Sequence, residues 1–291
     1  MIATLLFLGG LLISAPHSEW SGSVLLADEP VASERDSTEP DADKTVASET
    51  DAGEPKVVAA IETERPKEKA RRTYMDRIVA QPMSHMGASW LIRPERDQEE
   101  NASESFDNLG LKPGMTVVDL GCGNGFWTFP MAKAVTDKGR VLAVDIQREM
   151  LQKLQVRGAQ LKLDNIEPIL GKVDDPKLPA GEVDMVLMVD VYHEFSHPES
   201  MLWSIRRSLK PEGVVALLEY REEDPTVPIK PLHKMSKRQI IKEYQGNGFK
   251  LVREYNQLPW QHLMFFARDD SPLSEVVPVP AADVLDNLKA D

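Results

Sequence analysis

The chain has 291 residues and a formal net charge of −13, enough for one large domain or two small ones. The charge sits at the ends: Asp28–Ala70 carries 13 acids against 6 bases, and Asp269–Asp291 carries 6 acids against one base. The body between them, Arg71–Arg268, is neutral and has no basic stripe, which argues against a nucleic-acid-binding surface.

Residues Ile2 to Ala15 form a mostly apolar run of 14. That is shorter than a membrane span of about 20 residues and fits the apolar centre of a signal peptide. Cleavage after Ala27 would leave a chain beginning on the acidic stretch. Residues 1–27 are therefore expected to be a signal peptide or a membrane anchor, with 2–15 as the tether. The protein is then expected to be exported, periplasmic or membrane-associated, and otherwise cytoplasmic. Residues 28–70 lack aromatics and are rich in Glu, Asp, Ser, Thr, Pro and Ala. Such a segment cannot offset its chain entropy by burial, and a disordered acidic linker is expected. Residues 71–110 are read as a helical leader. The end, 269–291, carries three prolines and no clear period, and a disordered acidic tail is expected.

From Leu111 the pattern alternates strand and helix. Strands are expected at Thr116 to Leu120, Arg140 to Val144, Ile166 to Leu170, Val183 to Val189 and Val214 to Glu219. Helices are expected at Thr128 to Val135, Gln147 to Val156 and Pro198 to Leu209, with Lys210–Gly213 as a turn. Pro130 is tolerable because it falls in a first helical turn. Val183 to Val189, VDMVLMV, is apolar but for Asp184, as befits a strand covered on both faces. Ser236 with Gln239 three residues later resembles a capping box opening a helix that ends near Gly246 and Gly248. Two strand-like pieces, Phe249 to Tyr255 and Leu263 to Arg268, follow. The expected fold is α/β: a doubly wound, mainly parallel seven-stranded sheet with an antiparallel C-terminal hairpin. Ligands in such sheets bind at the carboxyl ends of the strands.

The most informative stretch is VVDLGCGNG, Val117 to Gly125. Glycines at 121, 123 and 125 follow a buried strand, and Asp145 closes the next strand, where an acid can accept hydrogen bonds from ribose hydroxyls. A tight turn explains glycines on steric grounds alone, but strand, loop, helix, strand and acid together point to an adenosine-containing cofactor. A dinucleotide loop runs G-x-G-x-x-G. Here the spacing is G-x-G-x-G, Phe126 occupies the third dinucleotide position, and Asp119 precedes the loop. A carboxylate there would repel a pyrophosphate and suits a cationic amino-acid moiety, so a sulfonium cofactor is favoured over NAD. The single cysteine, Cys122, excludes an intramolecular disulfide and a cysteine-cluster metal site, and no metal is expected.

Together with the AVD ending at Asp145, the acidic VDDPKLP around Asp174, LMVDVYHEF and LKPEGVVALLEY, this stretch resembles the class I S-adenosylmethionine-dependent methyltransferases over about Leu111 to Arg268. The segment SHMGASWLIRPERDQEE resembles a leader found in a bacterial, exported-type branch of that family. The resemblance implies S-adenosyl-L-methionine as cofactor and methyl transfer as activity. It implies that Gly121, Gly123, Asn124 and Gly125 pack against the methionine part, that Asp119 contacts its amino group directly or through water, and that Asp145, with Ile146 beside it, holds the ribose. Many relatives carry an Asp directly after the glycine that ends the third strand. Here Lys172 follows Gly171, so Asp174 or Asp175 is expected at the adenine.

Asp190, Tyr192, His193 and Glu194 follow the fourth strand. Asp190 is read as a cofactor contact, and Tyr192, His193 and Glu194 as catalytic candidates. His193 is either a general base or a packed histidine with one hydrogen bond. Trp90, Arg93 and Arg96 belong either to a lid over the cofactor with an arginine on a carboxylate, or to a helix docked by Trp90 with its charges solvated. The long loop from Tyr220 to Met235 is an acceptor-pocket wall, with Tyr220, Lys230 and His233 as candidates and Trp260 and His262 nearby, or a proline-stiffened surface excursion. The acceptor is expected to be a small molecule or lipid-like compound. An NAD-dependent oxidoreductase and a non-catalytic cofactor-binding module are the alternatives.

Overall fold

The computed structural model describes residues 69–290; the apolar run at 2–15 and the acidic stretch to residue 68 lie outside them. A two-stranded antiparallel ribbon, β1 (Thr73–Tyr74) and β2 (Arg77–Ile78), opens the described chain. A 3-10 helix at His85–Ile92 follows, capped by Ser84 Oγ accepting from Met86 N, then helices α1 (Arg96–Glu100) and α2 (Ala102–Leu109). The leader expected to be helical is thus half ribbon and 3-10 turn.

The central sheet has seven strands: β3 (Thr116–Leu120), β4 (Arg140–Asp145), β5 (Ile166–Leu170), β6 (Val183–Val189), β7 (Leu209–Tyr220), β8 (Phe249–Tyr255) and β9 (Gln261–Arg268). Their spatial order is β5-β4-β3-β6-β7-β9-β8, with β5 to β7 parallel and β9 antiparallel to both its neighbours. The order reverses between β3 and β6, which makes their carboxyl ends the switch point where open α/β sheets bind ligands. Four helices connect the strands: α3 (Thr128–Val135), α4 (Arg148–Leu161), α5 (Pro198–Ser208) and α6 (Lys237–Gly246).

Strand parity sorts the core into two layers. Val118, Leu120, Val186 and Met188 face Met201, Leu202 and Ile205 of α5 and Ile240 and Tyr244 of α6. Val117, Val141 and Leu187 face Leu109 of α2 and Met131 and Val135 of α3, and Ala143 meets Leu151 and Leu154 of α4 on that side. β7 begins five residues earlier than the apolar pattern suggests. Leu209 pairs with Val183, and the Lys210–Gly213 segment expected to be a turn is a bulge in a continuous strand. Ser236 Oγ accepts from Gln239 N as a capping box requires, but the Gln239 side chain turns to Met75 O at 2.7 Å instead of back to the cap, so α6 is tied to the leader.

The expectation of a disordered tail at 269–291 is corrected. Val276 N donates to Leu251 O at 2.9 Å, Val279 N to Glu254 Oε1 at 2.6 Å, and residues Ala281–Ala290 form helix α7 with Val284 buried. Three prolines obscured a segment that docks by its backbone. The anchor is Lys237, 3% exposed, whose Nζ donates to Glu254 Oε2 (3.0 Å), Asn256 Oδ1 (3.0 Å) and Val279 O (2.9 Å). Removing one partner of a buried pair leaves the other charge uncompensated, at a cost of about 3–5 kcal/mol. Lys237→Ala is expected to lower stability by about 3 kcal/mol in urea denaturation, and an unchanged midpoint would show that the tail contributes nothing to the fold.

Candidate active site

β3 ends in the glycine loop because nothing larger fits. Gly121 and Gly123 have φ of +80° and +52°, and a Cβ at Gly121 would lie 2.6 Å from Val191 Cγ2. A Cβ at Gly123 would lie 2.7 Å from Leu91 Cδ1, which belongs to the leader. The leader therefore lies directly on the loop, and Asn124 Nδ2 fastens it there by donating to Ala88 O at 2.9 Å. A second fastening comes from Gln147, just past β4. Its Nε2 donates to Met83 O (2.8 Å) and its Oε1 accepts from His85 N (2.8 Å). A third is Met83 N donating to Glu194 Oε1 at 3.2 Å.

Beneath this roof lies a cavity of about 630 Å³, within the roughly 300–1,000 Å³ of small-molecule sites. Gly121 and Gly123, Asp145 and Ile146, Lys172 and Val173, Asp190, His193 and Glu194 line it from the sheet; Trp90, Leu91 and Arg96 line it from the leader; Tyr220, Ile229, Lys230 and His233 line it from the long loop. The leader thus forms part of the cavity's lining, and the reading in which Trp90 docks a helix with solvated charges is corrected: Trp90 is 41% exposed while Arg96 is 4% exposed. The long loop is a wall and not a surface excursion. Its ends are joined by Met235 N donating to Tyr220 O at 2.9 Å, and Arg221 Nη2 anchors it on Gln261 O at 2.6 Å.

Six carboxylates crowd this end of the sheet. Asp145 is held by Gly123 N (3.0 Å) and Gln147 N (2.8 Å), one on each oxygen, and burial still raises its pKa. Parity places Asp119 under the first turn of α3, where Thr128 Oγ1 donates to it at 2.6 Å. Burial outweighs that bond and lifts its pKa to about 7. Asp190, at φ +53°, accepts from Gln261 Nε2 at 2.9 Å on both oxygens and lies 3.9 Å from Arg96 Nη2. Burial, then the Glu100 and Glu219 carboxylates, push it well up. Glu194 rises to about 7, chiefly through burial. Arg96 Nε pairs with Glu100 Oε2 at 2.8 Å, its guanidinium lies 4.3 Å from the centre of the Phe126 ring, and Tyr220 OH donates to Glu100 Oε1 at 2.7 Å.

The fully buried Glu219, at the end of β7, orders the wall that carries His193. Its Oε1 accepts from His193 N (3.2 Å) and its Oε2 lies 2.7 Å from His193 Nδ1. Burial disfavours a charged imidazole, but Glu219 outweighs it and holds the His193 pKa above its ordinary value. The His193 Nε2 then faces His233 Nδ1 at 3.0 Å.

Several expected site residues fall elsewhere. Tyr192 leaves the site altogether: it is fully buried in the core, its OH donates to Glu243 Oε2 at 2.8 Å, and it packs on Phe195 and Tyr244. Asp119, Asn124 and Gly125 do not line the cavity: Asp119 is bonded to Thr128, Asn124 turns to the leader, and Gly125 clears the Phe129 ring. Neither Asp174 nor Asp175 lines the cavity. A Lys172–Asp175 bridge folds that turn tightly, and Lys172, Val173 and Pro176 present the surface instead. Arg93 pairs with Glu99 and Glu100 and stacks on Trp90 at 3.8 Å, while its neighbour Arg96 reaches the cavity. His262 is buried against Glu223 at 3.0 Å and, like Trp260, lies outside the lining. Sequence reading passed over Gln147 and Glu219. A polar residue closing an apolar strand, as in VVALLE, was the available signal for the second.

Comparison with known proteins agrees with this geometry. Residues 111–258 match the family model described as a methyltransferase domain. A solved S-adenosylmethionine-dependent methyltransferase from Aquifex aeolicus superposes with a TM-score of 0.60 at 26% identity, over 64% of this chain and 98% of that one. The ubiquinone/menaquinone biosynthesis C-methyltransferase UbiE of Shewanella oneidensis is 29% identical over 153 residues, 51% of this chain and 55% of its own. Nocamycin O-methyltransferase of Saccharothrix syringae is 30% identical over 116 residues, 40% of this chain and 41% of its own. The chain thus spans about half the length, or less, of these curated relatives.

Asp119 offers a check on the site's electrostatics. Its pKa near 7 lies above the 3.8 of an unfolded aspartate, so the folded state binds the extra proton. Its contribution favours folding at low pH and is lost as pH rises from about 4 through 7. Asp119→Asn keeps an acceptor for Thr128 and is expected to flatten the fall in melting temperature between pH 5 and pH 8. Parallel wild-type and variant curves would contradict the shift.

Proposed function

Because the chain belongs to the class I S-adenosylmethionine-dependent methyltransferases, we propose that it transfers the methyl group of S-adenosyl-L-methionine to a small-molecule acceptor bound under the leader. The observation that carries this reading is the cavity itself, which runs from a glycine floor and an acid at the end of β4 to a histidine wall at the end of β6.

The donor fits the residues present. Asp145 keeps accepting capacity for the ribose hydroxyls beyond its two backbone donors. Ile146, Val173 and Pro176 supply an apolar slot for a purine, and Gly121 and Gly123 allow close approach of the methionine chain. Asp190 suits its ammonium and Arg96 its carboxylate. When bound, S-adenosylmethionine supplies an activated methyl carbon, so the protein's task is positioning and desolvation. The leader and the loop exclude water; Trp90, Ile229 and Pro228 give the acceptor an apolar resting place. His193, with Nδ1 tied to Glu219, presents Nε2 beside His233 Nδ1 at 3.0 Å, where an acceptor O–H or N–H that displaces His233 meets it. The acceptor class rests on the cavity's size and apolar walls, and on relatives whose names refer to ubiquinone/menaquinone biosynthesis and to nocamycin.

Titration calorimetry with S-adenosylhomocysteine tests the donor site. Losing two hydrogen bonds to a charged group costs about 3 kcal/mol or more, so Asp145→Ala is expected to weaken binding by at least about 100-fold, while Tyr192→Phe leaves it unchanged. Equal affinity in wild type and Asp145→Ala would remove the reading. Incubation with methyl-labelled cofactor and fractionated extract is expected to label the small-molecule or lipid fraction. Label confined to protein would overturn the acceptor class.

A further inference from the structure

Three side chains that can ligate a metal, His193, Glu194 and His233, converge on one wall of the cavity. His193 Nε2 and His233 Nδ1 lie 3.0 Å apart, and Glu194 Oε1 lies 3.9 Å from each. Among the described residues, these are the group of histidine and carboxylate ligands whose donor atoms converge within 4.8 Å. An ion with bonds of about 2.0–2.2 Å has its ligand atoms roughly 3.0–3.5 Å apart. The triangle therefore closes on an ion if Glu194 moves by a few tenths of an ångström.

The surroundings match a metal centre in a further respect. A metal-bound histidine characteristically gives its second ring N–H to a carboxylate, which fixes the tautomer and aims the free lone pair at the ion. Glu219 does this for His193: it takes the Nδ1 side at 2.7 Å and the backbone N at 3.2 Å, and it is itself fully buried. Burial grades from His193, 3% exposed at the side chain, through Glu194 at 13%, to His233 at 32%. The three ligands also line one side of the cavity, so they occupy one face of a bound ion and leave its other positions open to the acceptor space. Local charge favours a cation. Glu194 and Asp190, from the turn after β6, and Glu219, from β7, face the group, against Lys230 on the long loop and Arg96 on the leader.

We propose that His193, Glu194 and His233 bind a borderline divalent transition-metal ion, of the class represented by Zn²⁺, through a two-histidine, one-carboxylate set. Such sets with an open position suit catalytic zinc and related ions. The ion's remaining positions take a water or an oxygen of the acceptor, which it polarises and orients. In that state His193 Nε2 is a ligand and accepts no hydrogen bond from the acceptor. Metal binding stands independently of methyl transfer; only the ion's role toward the acceptor rests on the function proposed above.

The test uses the full chain, freed of metal with a chelator and titrated with Zn²⁺ alone by calorimetry, with metal content checked by elemental analysis. One equivalent is expected to bind with micromolar or tighter affinity. His233→Ala, on the partly exposed wall, and Glu194→Gln are each expected to weaken binding by at least 10-fold. Co²⁺ substitution is expected to give an absorption spectrum that His233→Ala changes. Melting curves and S-adenosylhomocysteine affinity, recorded on the same samples, separate a folding defect or a failed cofactor site from a lost metal site. No stoichiometric Zn²⁺ binding by wild type, or unchanged affinity in a folded His233→Ala, would overturn the proposal.

Discussion

The close approach of the leader to the glycine loop is the constraint on which the site depends. Leu91 occupies the space that a side chain at Gly123 would need. The loop's lack of side chains therefore serves two neighbours at once, a ligand at the cavity and a roof above it. Asn124 and Gln147 convert this contact into a fixed geometry, because each bonds to the leader's backbone and so does not depend on which side chains the leader carries. A leader held by its backbone can vary its lining residues while keeping its place over the glycine loop.

A second consequence concerns charge. Asp119, Asp145, Asp190, Glu194 and Glu219 gather at one end of the sheet, and burial raises the pKa of the first four. Grouped buried carboxylates repel one another and lose hydration, so a fold retains them at a cost unless cations offset it. Arg96 supplies one cation from the leader. The rest of the imbalance favours a positively charged guest, which is what a sulfonium carrying an ammonium group provides. The same logic disfavours a pyrophosphate, and it holds for the whole cavity, not only for Asp119.

How much of this was legible follows from whether the determining contacts are local. The strands β3 to β6 were readable because an apolar period and a glycine or acid at the end are properties of neighbouring residues. So was the pairing of the glycine loop with Asp145, which depends only on adjacent parallel strands. Tyr192 was misplaced because one residue in a 3-10 turn decides whether a side chain enters the cavity or the core, and the partner that captures it, Glu243, lies 51 residues away. Asp174 and Asp175 fall outside the cavity lining for a related reason: a tight bridge within Lys172–Asp175 alters which residues present themselves. The tail was misread because composition suggested disorder, whereas its anchors, Lys237 and Glu254, lie in other elements.

The division of labour within the fold explains why the donor is easier to identify than the acceptor. Donor-side residues come from strand ends and the turns just beyond them, where sheet register fixes each side chain relative to the next. The side where we propose the acceptor binds is built from the leader and the Tyr220–Met235 loop, which meet the cavity through contacts distant in sequence. Between these two sides stands His193, in the turn after β6, clamped at two atoms by Glu219. That rigidity costs a buried carboxylate at the end of β7. It is intelligible if His193 must present one particular nitrogen in one particular direction, which is a requirement of chemistry at the acceptor and not of packing.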